Sequence, residues 1–166
     1  MKILLVDDEL EYGVVMKKIL QKKGYLVDIA LSGEEAINII KKDKNYDLVL
    51  SDVMMKNMDG VQLLDRIKSI NRDIEVILVT GYGSIENAVD AMKRGALSYF
   101  IKSNPIENLL EEVEKVKASK ISVSVQKNNF EFTLESKNRD FNNIIKIAKK
   151  AACKDVNKIS IFRFQS

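Results

Sequence analysis

Several side chains able to do chemistry each stand directly after a short apolar run. Ile3-Leu4-Leu5-Val6 leads into Asp7-Asp8, and Leu48-Val49-Leu50 leads through Ser51 into Asp52. Val76-Ile77-Leu78-Val79 leads into Thr80, and Ser98 to Ile101 leads into Lys102. Carboxylates that converge on one crevice repel one another unless a cation sits among them. A hard divalent ion such as Mg²⁺ suits oxygen ligands and keeps positions open for water and phosphate oxygens. A carboxylate can also attack phosphorus and form an acyl phosphate. Phosphoryl transfer then needs mainly positioning and charge neutralisation. Lys102 could supply a second counter-charge, and Thr80 a hydrogen bond to a phosphoryl oxygen. Each residue alone is ordinary: a strand-end acid often caps the next helix, as Asp59 does. The joint pattern of acid pair, acid, hydroxyl and lysine is what points to one site.

Composition removes many other chemistries. The 166 residues include no histidine and one cysteine, Cys153, which is given no function. An internal disulfide, a histidine-based zinc site and a histidine-dependent nucleophilic triad are therefore excluded. No apolar run approaches the ~20 residues needed to cross a bilayer. The amino terminus turns acidic too early for a signal peptide, so a cytoplasmic soluble protein is expected. Residues 1–118 carry 17 basic and 20 acidic side chains, whereas residues 119–166 carry 10 and 4. The basic excess of the tail is read as a solvated face, because its lysines are dispersed and few aromatics lie among them.

The segments that must position the reactive residues alternate in type. Helical spacing runs from Leu10 to about Lys23, with Val14, Val15, Ile19 and Leu20 expected on the apolar side and Gly24 as the stop. Tyr25–Ala30 reads as a strand. Ser32-Gly33-Glu34-Glu35 reads as a capping box opening a helix to about Lys42. Asp59-Gly60 caps a helix to about Ser69, Ser84 opens one that Gly95 closes, and Asn104-Pro105 begins a last one to about Lys117. Five apolar strands alternating with five helices require a parallel sheet covered on both faces. In such sheets the functional crevice lies at the carboxyl ends of the strands. That rule selects Asp7-Asp8, Asp52, Thr80 and Lys102.

The same stretches resemble the receiver domains of two-component response regulators. The resemblance is carried by Ile3–Glu9, Asp47–Asp52, Met58-Asp59-Gly60, Thr80–Ser84, Ala91–Ala96 and Tyr99–Lys102, and covers about residues 1–118. It implies a flavodoxin-like (βα)5 α/β fold, a doubly wound parallel sheet of strand order 2-1-3-4-5, with residues 119–166 as a short extension. It implies Asp52 as phosphoacceptor, and a Mg²⁺ site shared by Asp7, Asp8, Asp52 and the main-chain carbonyl of Met54. It implies Thr80 and Tyr99 as a switch pair and Lys102 as the partner of the acyl phosphate. The implied partners are a sensor histidine kinase and a second copy bound through the fourth helix, fifth strand and fifth helix. Such a domain signals and assists its own phosphorylation, rather than being a metabolic enzyme. The rival reading, a Mg²⁺-dependent phosphohydrolase working through an aspartyl phosphate, commonly needs a second acid two residues after the nucleophile. That position here is Met54.

Two local departures from the family pattern stand out. The residue after the lysine is usually a cis-bonded proline, but here it is Ser103, and a non-proline cis bond costs ~2.5–4 kcal/mol. Tyr82, with the loop Tyr82–Ala88, follows the receivers of enhancer-dependent transcription activators. Met54 and Tyr82 are expected to hinder water at the phosphorylated site, Tyr82 by covering it. In that subgroup an ATPase domain follows the receiver. Phe141–Ala151 resembles that domain's first helix, yet no Gly-x-x-x-x-Gly-Lys-Ser/Thr loop exists. Residues 119–166 therefore read as the start of such a domain, cut before its nucleotide loop, or as a small module with a hairpin over Ile121–Glu135. No helix-turn-helix is evident, and DNA binding by this chain is not expected.

Overall fold

The strands owe their parallel pairing to residues that are apolar on both sides of the chain. In the computed structural model, which describes residues 1–121, β1 is Lys2–Val6, β2 Leu26–Ala30, β3 Leu48–Asp52, β4 Glu75–Thr80 and β5 Ser98–Ile101. All neighbours are parallel, in the order β2-β1-β3-β4-β5. Successive side chains of a strand point to opposite faces. Ile3, Leu5, Leu48, Leu50, Ile77 and Val79 therefore fill one core, and Leu4, Val6, Val49, Val76 and Leu78 fill the other. Helices must cover both faces. α1 (Leu10–Lys22) brings Met16 and Leu20 to the first core, joined there by Leu109, Val113 and Val116 of α5, residues 106–121. α2 (Gly33–Lys42) and α3 (Gly60–Ile70) bring Ile37, Ile40, Leu63, Leu64 and Ile67 to the second, and α4 (Ile85–Lys93) adds Ala91. Met1–Ala118 forms one compact unit.

The expected helix signals act largely where they were read. Ser32 and Ser84 accept hydrogen bonds from the N–H groups of Glu35 and Asn87, and Asp59 forms a full capping box with Gln62. Glu35 does not reach back to Ser32; its carboxylate accepts the N–H of Leu31 at 2.7 Å. Gly24 and Gly95 take the left-handed conformation after α1 and α4. The apolar side expected for α1 needs correction. Val14 and Val15 are exposed, and the buried stripe is Gly13, Met16 and Leu20. A Cβ on Gly13 would stand 3.4 Å from Ile29, so the helix meets β2 at its one residue without a side chain. The hairpin and ATPase-like helix read in the tail lie outside the described residues.

The amino ends of the strands are closed by a polar clamp. Lys2 Nζ donates to Asp43 at 2.7 Å, pairs with Asp28 at 3.3 Å and lies 4.3 Å from the centroid of the Tyr46 ring. The Tyr46 hydroxyl donates to Asp28 at 2.6 Å.

At the other end, α3 begins hard against β3. A Cβ on Gly60 would fall on the carbonyl oxygen of Asp52 and lie 2.9 Å from Val53 Cα. Backbone cannot yield there. A Cβ on Gly33 would also be too close, 2.7 Å from Met58 Sδ and 3.0 Å from Met58 Cβ; the thioether can rotate away, and the rest needs a side-chain shift of a few tenths of an ångström rather than a backbone one. Gly60→Ala should therefore destabilise the protein by more than the roughly 1–3 kcal/mol of ordinary overpacking, while Gly33→Ala stays inside that range. Urea unfolding of the two variants checks this, and equal losses would contradict it.

Candidate functional site

The parallel sheet carries the ends of β1, β3 and β5 to one edge, where their charged residues meet. Among the described residues Asp7, Ser51, Asp52 and Thr80 are the buried polar ones, with Asp7 only 4% and Asp52 7% exposed. Asp8, beside them, is exposed. Asp7, Asp8 and Asp52 each offer a carboxylate oxygen, all within 4.8 Å of one another. Lys102 reaches into this group, donating to Asp7 Oδ2 at 2.8 Å and Asp52 Oδ2 at 3.3 Å. The remaining oxygens are held locally. Asp7 Oδ1 accepts the N–H of Glu9 at 2.8 Å, and Asp52 Oδ1 accepts the N–H of Met54 at 3.3 Å. The β5 end is itself fixed to β4, since the Lys102 N–H donates to the Thr80 carbonyl at 2.7 Å. No peptide bond among the described residues is cis, Lys102–Ser103 included.

One ammonium thus serves two buried acids. Burial pushes the Asp52 carboxyl above its ordinary range, and the charge of Asp7 adds to this, against the pull of Lys102 and the Met54 N–H. Burial alone would lower Lys102, but its hydrogen bond to Asp7 and the two carboxylate charges hold the ammonium above the usual lysine range. The donor set fits a hard divalent ion: clustered carboxylate oxygens, one exposed to solvent, with a protein cation already drawn in among them.

The other expected residues are placed less directly. The Thr80 hydroxyl is fully buried and engaged within its own loop, donating to the Tyr82 carbonyl at 3.1 Å and accepting the Tyr82 N–H at 3.2 Å. Tyr99 packs against the second core, and its hydroxyl is buried without a hydrogen-bond partner. Tyr82 is 87% exposed and Met54 66%, so both side chains stand largely in solvent. Tyr82 does not cover the site as expected, because its loop binds the Thr80 hydroxyl through backbone and leaves the ring outward. A further aromatic, Tyr12, was not singled out from the sequence. Its ring centroid lies 4.2 Å from Lys102 Nζ. The signal available was its place, four residues beyond Asp8 in the first turn of α1.

The chain is similar to known proteins. The family profile described as response regulator receiver domain matches residues 3–114. Transcriptional regulatory protein ZraR of Escherichia coli (strain K12) is 40% identical over 124 residues, which is 75% of this chain and 28% of that relative. The chain thus spans little more than a quarter of that curated relative. Sporulation initiation phosphotransferase F of Bacillus subtilis (strain 168) is 35% identical over 114 residues, 69% of this chain and 91% of that protein. Among solved structures, response regulator protein TrrA from Thermotoga maritima in complex with Mg(2+)-BeF superposes with a TM-score of 0.63. It is 34% identical, covering 69% of this chain and 97% of that one.

The buried acids have a consequence for stability without metal. Folded Asp52 holds its proton to higher pH than the unfolded chain does. Between the two pKa values the folded state therefore binds more protons, and stability falls as pH rises through that window. Asp52→Asn removes the buried charge and should raise the unfolding midpoint near neutral pH in chelator. The gain should shrink as pH falls through that window toward the ordinary carboxylate range and be absent below it. Thermal melts across pH test this, and a variant no more stable than the parent at neutral pH would refute it.

Proposed function

Because the chain belongs to the response regulator receiver domain family, we propose that it takes a phosphoryl group from a sensor histidine kinase onto Asp52 and passes the signal on by changed protein contacts. The carrying observation is the shared reach of Lys102 to Asp7 and Asp52 inside a carboxylate cluster. In the transfer, an Asp52 carboxylate oxygen forms the new bond to phosphorus while the bond from phosphorus to the donor's imidazole nitrogen breaks, its electron pair leaving with the imidazole. Lys102 neutralises charge gathering on the phosphoryl oxygens. The Thr80 hydroxyl leaves the Tyr82 carbonyl to donate to one of them, and Tyr99 moves with it. Asp7, Asp8, Asp52 and the Met54 main-chain carbonyl would hold Mg²⁺. When bound, that ion supplies charge neutralisation at the site. The relative solved with Mg(2+)-BeF favours this choice of ion.

The same reading places residues 1–118 as the receiver and 119–166 as a separate extension, in a cytoplasmic, transcription-related regulator, as the name of ZraR suggests. Among the described residues no helix is long and apolar enough to cross a membrane. We assign the output to the face of α4, β5 and α5. Ile85, Val89 and Met92 of α4 are exposed apolar residues there, suited to a second copy of the chain.

Acetyl phosphate with Mg²⁺ should add one phosphoryl group, removable by hydroxylamine and lost in Asp52→Ala. Intact mass checks this, and normal single-site labelling of Asp52→Ala would overturn the assignment. Sedimentation should show the phosphorylated protein as heavier than the unmodified one, and identical masses at high concentration would count against a dimer.

A further inference from the structure

Tyr12 is unused by the chemistry above, yet it touches the residue on which that chemistry leans. The acid pair and Tyr12 belong to one stretch of chain, the β1–α1 loop and the first turn of α1. Lys102 arrives from the end of β5. Its ammonium donates to Asp7 and Asp52 and also lies over the Tyr12 ring, 4.2 Å from the centroid. The face of an aromatic ring carries negative potential and attracts a cation, more strongly where water is kept away. The Lys102 side chain is 18% exposed, so water reaches it only in part. The ring is partly buried against the first core, and the cavity it lines with Asp7, Met16, Asp52 and Leu109 has a volume of about 10 Å³. That is room for roughly one water.

We propose that Tyr12 is a positioning residue for phosphoryl transfer, its ring face holding the Lys102 ammonium toward Asp52. This rests on the functional reading above. A lysine has a flexible four-carbon stem and three N–H donors. An incoming phosphoryl oxygen competes with Asp7 and Asp52 for those donors, so the carboxylate grip loosens when orientation matters most. The ring competes for no acceptor and keeps the ammonium in place. Its phenol oxygen has no part in this, so phenylalanine serves equally well and leucine, apolar but without a ring, does not.

The test compares Tyr12→Phe and Tyr12→Leu, each with Lys102 and with Lys102→Ala, for the rate of labelling by acetyl phosphate with Mg²⁺. Tyr12→Leu should slow labelling about fivefold, roughly 1 kcal/mol at 1.36 kcal/mol per tenfold, while Tyr12→Phe keeps the parent rate. In Lys102→Ala the leucine variant should cause no further loss, because two residues acting through one contact are not additive. In metal-free protein, NMR should show the Lys102 ε-methylene protons shifted upfield by the ring in the parent and Tyr12→Phe, but not in Tyr12→Leu. Parent-like labelling of Tyr12→Leu, equal slowing with and without Lys102, or a missing ring shift in the parent would each overturn the role of Tyr12. A parent that takes no phosphoryl group at all would overturn the functional reading itself.

Discussion

Like charges gathered out of water must be neutralised, and this protein gathers its acids at the carboxyl edge of the sheet. Asp7 and Asp52 are nearly closed off from solvent, Asp8 lies alongside, and among the described residues the one ammonium paired with them is Lys102. A single lysine cannot balance the group, so the site is under-neutralised by construction. That imbalance gives the cluster an appetite for a further cation, and makes its occupancy a matter of conditions rather than of folding. The rest of the fold serves to hold the cluster together against its own repulsion. The hydrogen bond from the Lys102 N–H to the Thr80 carbonyl and the N–H donors of Glu9 and Met54 are the local devices that do so.

The opposite edge keeps its charges nearer to water. Lys2 sits between Asp28 and Asp43 with Tyr46 beneath it, and Asp47 accepts the Lys2 main-chain N–H at 2.7 Å. One ammonium again faces several acids there, but the tyrosine hydroxyl donates to Asp28 and the acids stand partly in water. One sheet therefore has a settled end and an unsettled one, and the difference lies in exposure: the Asp28 and Asp43 side chains are 47% and 39% exposed, those of Asp7 and Asp52 5% and 7%.

The unsettled end was legible because the strand-end rule turns a one-dimensional order into a three-dimensional meeting. Once β1, β3 and β5 were read as parallel, Asp7, Asp52 and Lys102 had to converge. The caps of α2, α3 and α4 were legible for a similar reason, since each depends on residues three apart. What could not be read were contacts that hydropathy does not register. Gly13 has no side chain to announce that it faces Ile29, so Val14 and Val15 looked like the buried side of α1 and are not. The Thr80 hydroxyl was read for its chemistry, but a hydroxyl takes the nearest backbone partner, here that of Tyr82, whose ring stands in solvent. Asn57, with φ of 64°, holds a left-handed turn before Met58 that nothing in the pattern required.

The close seat of Gly60 on the Asp52 carbonyl has a mechanical meaning. The peptide unit that carries Asp52 is wedged between β4, through the Val53 N–H and Val79 carbonyl, and the start of α3, whose Gly60 N–H binds the Val53 carbonyl. On that side the backbone is an anvil and cannot recoil. Beyond β4 the situation reverses: a Cβ on Gly81 would meet nothing within 4 Å. The Asp52 carbonyl therefore has no room toward α3, whereas the chain just beyond β4 has space beside it at Gly81 before Gly83 closes against Ile101.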